Sequence, residues 1–307
     1  MFLPLILIHY VNGHEVIFDP TREFPAYSCE ELVSVLPDVD AAIIGMDDYR
    51  DERVYQAGKK LKCVCKFGVG VDNIDLAMAT RYGVAACNCP GQNSNAVAEL
   101  TVGYMIGVLR HMIPLQKAME KSTWTRMLGE ELEGKTIGLI GFGAIARLVA
   151  EKLQNFQVKI LAYDLYPNME AAQKLGVTMT DPDRALEESD ILSLHVPAVS
   201  DNYHMINKNT IAKMKDQVYI INAARGALID LDDLAEAIQS GKVAGAALDA
   251  FETEPLPADS PILQCENVIL APHTGAETKE AYDKVSYTAA LNVIDVLAGK
   301  KARYQCN

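Results

Sequence analysis

Short apolar runs rich in β-formers alternate with helix-like stretches along almost the whole chain. In the first third, EVIFD, AAIIGM, KCVCKF and VAACN read as strands, with SCEELVSVL and DERVYQAGKK as helices between them. Further on, TIGLIGF, KILAYD, DILSLHV, VYIINA, AALDAF and VILAP read as strands, separated by AIARLVAEKLQNF, DRALEES and LDDLAEAIQS. A strand, helix, strand rhythm implies crossover connections, and crossovers join parallel strands. Runs that stay apolar at successive positions suit strands covered on both faces. The pattern predicts an α/β fold of doubly wound parallel sheets.

With 307 residues the chain has the length of two domains. Lys and Arg total 28 against 41 Asp and Glu, a formal net charge of −13. A phosphate backbone or an anionic membrane calls for clustered cations, so no nucleic-acid or membrane partner is expected. A small anion is still admissible, because net charge says little about one pocket. No run reaches the ~18 uninterrupted apolar residues of a membrane span. The opening MFLPLILIHYVNG lacks the basic start and small-residue cleavage site of an export signal. The seven cysteines are therefore expected to be reduced thiols in a cytoplasmic protein.

Cys63/Cys65 and Cys87/Cys89 form two C-x-C pairs in strand-like runs. That spacing puts both thiols of a pair on one strand face, so neighbouring strands would bring sulfurs together. Structural zinc sites usually space their cysteines differently, on turns. The expected reading is small buried hydrophobes, with no metal.

The stretch NAVAELTVGYMIGVLRHMIPLQKAM is charged or His only at Glu99, Arg110 and His111 between Ala96 and Ile113. A helix apolar nearly all round must be buried on nearly all sides. It is expected to lie between the two domains and also in a homodimer interface. AYDKVSYTAALNVIDVLAGK reads as a last amphipathic helix.

GFGAIA at 141–146 fits the dinucleotide fingerprint G-x-G-x-x-G/A and sits between a β run and a helix. Gly141 permits the tight turn, Gly143 lets the backbone approach a pyrophosphate, and the helix start offers free N–H groups. Asp164 ends the next strand, where a carboxylate accepts from ribose hydroxyls and repels a 2′-phosphate; the expected cofactor is NAD. A second G-x-G, at Gly68 and Gly70, has Asn73 in the third position and fails as a dinucleotide loop. Its backbone N–H groups could hold a carboxylate.

Three polar residues follow three strand candidates: Arg225 after VYIINAA, Glu254 after AALDAF, and His273 after VILAP. In a parallel sheet these ends open on one crevice. Arg grips a carboxylate with a planar fork, His moves a proton near neutral pH, and a carboxylate orients the imidazole. Each also has a plainer reading, as a solvated charge or a turn hydrogen bond. Asp249 is the next candidate, positioned to face a nicotinamide amide. His9, His14, His111, His195 and His204 lack comparable context and read as structural.

The stretches GVGVDNID, NCPGQNSNAVAELTVG, TIGLIGFGAIA, LHVP, INAARGALID, LDAFETEPLP and APHTGAET, in this order, resemble the D-isomer-specific 2-hydroxyacid dehydrogenase family. The wording is most similar to its phosphoglycerate dehydrogenase branch, in a short form without a regulatory domain. The resemblance implies a flavodoxin-like substrate domain over 1–96 and 285–307 and a Rossmann NAD domain over 97–284. It implies homodimers, and hydride transfer between NAD and a small 2-oxo or 2-hydroxy acid. Arg225, Glu254 and His273 take the catalytic roles. Gly141, Gly143, Ala144, Ile145, Asp164, Pro197, Ala223, Asp249, His273 and Gly275 take the cofactor roles. Val69, Gly70 and Arg225 would meet the substrate carboxylate, and Lys66 a distal phosphate. Non-enzymatic corepressors of the same family are the alternative. Family members open with a strand and then a helix; here LPLILIHY is expected to serve as one and leave the other absent.

Overall fold

The computed structural model describes residues 13–17 and 27–307. By contacts the chain forms two compact units: the described part of Met1–Asn93 with Ala276–Asn307, and Ser94–Gly275.

The first unit opens with α1 (Cys29–Val35), whose Ser28 and Glu31 form a capping box. Then come β1 (Ala41–Ile44), α2 (Glu52–Ala57), β2 (Cys63–Lys66), α3 (Leu76–Arg81) and β3 (Ala85–Cys87). Asp51 and Asp75 cap α2 and α3 by accepting from the backbone amides of Arg53 and Met78, satisfying donors a helix start leaves open. The strands are parallel in the order β1-β2-β3, as crossover helices require. Of EVIFD, 15–17 lie in no strand; Phe18 and Asp19, like LPLILIHY, lie outside the described residues.

The second unit begins with α4 (Ser94–Leu109) and α5 (Met112–Glu120). One continuous apolar helix is the sequence expectation; the structure bends it by 65° at Arg110 and His111. His111 adopts a left-handed φ of 51°. Pro114 is the physical reason: it has no N–H to give to the Arg110 carbonyl, so the ladder cannot run through. The halves differ in burial. α4 has ten buried residues, and α5 has none. No single helix among the described residues is long and apolar enough to cross a membrane.

After α5 follow β4 (Thr136–Ile140), α6 (Ala144–Lys152), β5 (Lys159–Tyr163), α7 (Met169–Lys174), β6 (Thr178–Met179), α8 (Pro182–Glu188) and β7 (Ile191–Leu194). The unit continues through α9 (Lys208–Lys213), β8 (Val218–Asn222), α10 (Leu231–Gln239), β9 (Val243–Leu248) and β10 (Val268–Leu270). All pairings are parallel, and the sheet order is β10-β9-β8-β7-β4-β5-β6. The order reverses between β4 and β7, which makes that central pair the topological switch point where an open α/β sheet receives its ligand. Buried residues line both faces, in one cluster with Leu139, Ile221 and α4's Met105 and in another with Ile140, Leu192 and Ile220. The chain then returns to the first unit as α11 (Lys279–Leu297), which covers the Cys face of its sheet.

Candidate active site

The candidate residues of the second unit all lie just beyond the carboxyl ends of strands in one parallel sheet. Gly141 follows β4, Asp164 follows β5, His195 follows β7, Ala223 to Arg225 follow β8, Asp249 follows β9, and His273 follows β10. Parallel pairing therefore brings residues more than a hundred positions apart to one edge.

The fingerprint end is made of backbone. Gly141 has φ +95°, and a Cβ there would lie 2.6 Å from the His195 carbonyl oxygen, so glycine is required twice over. Gly143 is exposed, and a Cβ on it would meet nothing within 4 Å, leaving open space over the turn. It is the N-cap of α6 and gives no side-chain cap, so the first amides of the helix keep their donors. Ala144 is exposed and Ile145 half-buried in that first turn. Asp164 is fixed by backbone: Oδ2 accepts from Phe142 N at 2.6 Å and Oδ1 from Tyr166 N at 2.8 Å. An open glycine turn, an uncapped helix start and a carboxylate at the next strand end fit a dinucleotide. Pro197 borders this edge, its carbonyl accepting from Asn202 Nδ2 at 2.8 Å.

The opposite end is made of side chains. His273 Nδ1 lies 3.0 Å and 3.1 Å from the two Glu254 carboxylate oxygens. Glu254 Oε1 also accepts from Phe251 N at 2.9 Å. Partial burial works to raise the Glu254 carboxyl, but the His273 and Phe251 hydrogen bonds and the charges of His273 and Arg225 outweigh it and hold the group below its ordinary value. Glu254 is thus an acceptor only, and Nδ1 of His273 must carry the shared proton. That leaves Nε2 as the nitrogen able to give or take one.

Arg225 follows an Asn222 turn: Asn222 Oδ1 accepts from Ala224 N at 3.0 Å, and its Nδ2 donates to Arg225 O at 2.8 Å. Gly226 lets this loop approach the next, since a Cβ there would sit 1.9 Å from the Phe251 carbonyl carbon. The guanidinium and Glu254 are in this way near enough for their charges to interact. Asp249, 2% exposed, turns its carboxylate to its own chain, accepting from Tyr104, Thr274 and Gly275.

The sequence candidates Lys66, Val69 and Gly70 belong to the first unit. Lys66 Nζ donates to the Gly45 carbonyl and, at 3.2 Å, to Asn73 Oδ1; the Val69 carbonyl accepts from Asn88 Nδ2 at 2.7 Å. In the same unit Cys63, Cys65, Cys87 and Cys89 are buried free thiols beside Val285 and Ala289, and the Cys63 and Cys87 sulfurs are 4.0 Å apart.

Two histidines read as structural have specific partners. His195 Nε2 is 2.9 Å from the buried Ser193 hydroxyl, and desolvation pushes the imidazole down to about 4. His204 is stacked on Tyr203, with Nδ1 3.3 Å from Asp230 and Nε2 2.9 Å from Glu252. Sequence spacing held no signal for Tyr104. The one cue was chemical: a phenol within a nearly all-apolar helix needs an acceptor.

Comparison with known proteins accords with this geometry. Residues 102–275 match the family model described as D-isomer specific 2-hydroxyacid dehydrogenase, NAD binding domain. The chain is 40% identical over 293 residues to a glyoxylate reductase of Thermofilum pendens, covering 93% of this chain and 86% of that one. It is 38% identical over 282 residues to a D-3-phosphoglycerate dehydrogenase of Archaeoglobus fulgidus, covering 91% of this chain but 54% of the relative, so it spans about half the length of that enzyme. Its fold is similar to that of apo D-lactate dehydrogenase from Escherichia coli, with TM-score 0.87, 28% identity, and 99% and 96% of the two chains covered.

Proposed function

This chain belongs to the D-isomer specific 2-hydroxyacid dehydrogenase family, whose NAD binding domain it carries, and from that premise we propose that it interconverts a small 2-oxo acid and its 2-hydroxy acid. The observation that carries the reading is the His273–Glu254 pair at 3.0 Å, on the same sheet edge as the fingerprint turn.

In this reading Gly141, Gly143, Ala144, Ile145 and Asp164 hold the dinucleotide, with Pro197, Ala223, Asp249 and Gly275 beside it. Bound NAD supplies the hydride chemistry. The protein's own groups do the rest. Glu254 keeps the His273 ring oriented, and Nε2 of His273 gives the substrate oxygen its proton in reduction and takes it back in oxidation. Arg225 grips the substrate carboxylate through its planar fork and lies beside the oxygen where charge builds up. Val69 and Gly70, on the first unit, are proposed as carboxylate contacts through their backbone N–H groups. The unit of Met1–Asn93 with Ala276–Asn307 is proposed as the substrate domain and Ser94–Gly275 as the cofactor domain, in place of the expected 1–96 with 285–307 and 97–284.

A short 2-oxo acid of the glyoxylate kind is the favoured substrate. The relative of that name is matched over most of its length, and Lys66, the candidate for a distal phosphate, is engaged with Gly45 and Asn73. A corepressor-like role gains no support from relatives named as reductases and dehydrogenases. The test is a panel of 2-oxo acids, glyoxylate, hydroxypyruvate and pyruvate among them, with NADH or NADPH, followed by nicotinamide absorbance. NADH oxidation with at least one acid is expected; none, from folded protein that binds NADH, contradicts the proposal.

A homodimer is proposed as well, supported by apolar side chains left in solvent on and after α5: Met112 53%, Met119 52%, Trp124 84% and Leu128 97% exposed. Such a patch usually marks an interface. Sedimentation at micromolar concentration tests it, and a monomeric mass would overturn it. Seven free cysteines support a reducing, cytoplasmic location.

A further inference from the structure

We infer that Tyr104 is a positioning residue for His273, acting through the Asp249 carboxylate; the inference rests on the assignment of His273 as the proton-moving group. Tyr104 lies in the middle of α4, 5% exposed, with its hydroxyl 3.0 Å from Asp249 Oδ1. Asp249 is 2% exposed, and a carboxylate so enclosed persists only where donors surround it. Its other donors are Thr274 N at 2.9 Å, Thr274 Oγ1 at 3.1 Å and Gly275 N at 2.7 Å. These three come from the two residues that follow His273.

His273 itself needs such an anchor. Its φ of +54° is the left-handed region, which is unfavourable for a residue other than glycine. Strain of this kind lasts only where neighbours over-determine the backbone. Here Glu254 holds the ring while Asp249 holds the next two amides. The turn also packs on α4, because a Cβ on Gly275 would meet Asp249 Oδ2 at 2.9 Å and Val97 at 3.4 Å.

Of the donors on Asp249 among the described residues, Tyr104 is the one that lies outside the turn. Without it the carboxylate and the turn can shift together; with it both are referenced to a buried helix. Burial, and then the Asp249 carboxylate, raise the phenol well above its ordinary range, so it remains a donor at neutral pH.

The decisive experiment compares Tyr104→Phe, Tyr219→Phe and His273→Ala in the full chain, with NADH and glyoxylate. Tyr219 is the control, a phenol donating to Glu130 Oε1 at 2.9 Å in the same unit. Tyr104→Phe is expected to lower kcat roughly 10-fold or more with little change in the KM for NADH, since misplacement of a reacting group by an ångström is costly. It should also speed amide exchange at Thr274 and Gly275, whereas Tyr219→Phe changes neither. Wild-type turnover in His273→Ala would overturn the functional assignment and this inference with it. An inactive His273→Ala beside a Tyr104→Phe that matches Tyr219→Phe in both readouts would overturn this inference alone. Should Tyr104→Phe fail to fold, Thr274→Val strips the other hydroxyl from the same oxygen. It should show the same two changes in weaker form, and unchanged kcat and exchange would sink the anchor through which Tyr104 is held to act.

Discussion

The two ends of the candidate site are built from different materials. At the β4 and β5 end, backbone does the work: an open glycine turn, an uncapped helix start, and Asp164 fixed by two main-chain amides. At the β9 and β10 end, side chains do it: His273 against Glu254, and Asp249 enclosed by Tyr104 and the turn after His273. A backbone site tolerates side-chain change as long as its glycines stay. A side-chain site loses its chemistry with one atom, which gives the comparison measurable consequences.

The largest effect is expected at the side-chain end. His273→Ala should lower turnover on the order of 10²–10⁴-fold while NADH still binds, as measured by steady-state rates beside cofactor fluorescence. Loss of binding together with rate would mean that the two ends are not separable. A smaller effect is expected at the backbone end. Asp164→Ala removes the proposed acceptor of the ribose hydroxyls and one hydrogen bond of the turn, to Phe142 N, but keeps both glycines, so kcat with saturating NADH should hold. The preference for NADH over NADPH should shrink by about 10- to 100-fold, the value of one or two charge-assisted hydrogen bonds.

The smallest effect concerns His195, whose backbone carbonyl faces Gly141 at the fingerprint end. Its folded value near 4 lies below the ordinary ~6.5, so the unfolded chain takes up the proton first as pH falls. Stability from this group is complete above ~6.5 and is lost as pH drops toward 4, by on the order of 1–3 kcal/mol. Urea midpoints across that range should show the slope, and His195→Asn should flatten it.

How readily each end was legible follows from the same contrast. Backbone demands are written into sequence as glycines at fixed spacing, so GFGAIA and Asp164 stand out without a structure. Arg225, Glu254 and His273 were legible only as strand-end residues, because periodicity marks where strands stop and parallel topology gathers their ends. Which way a side chain turns carries no spacing signal. Asp249 was legible as a strand-end residue, but that its carboxylate accepts from Tyr104, Thr274 and Gly275 was not. The bend at His111 was written in Pro114, but apolar continuity from Ala96 to Ile113 outweighed it. The strand β6, two residues long, is too short to leave a pattern.

The pairing of Glu254 with the His273 ring bears most of the account, and the pH profile of kcat/KM for 2-oxo acid reduction in wild type and Glu254→Gln tests it most directly. Removal of the carboxylate should lower kcat/KM across the whole pH range, because Nδ1 loses the acceptor that fixes the ring and leaves Nε2 to move the proton. Superimposable profiles would show that the carboxylate beside Nδ1 has no part in the proton transfer.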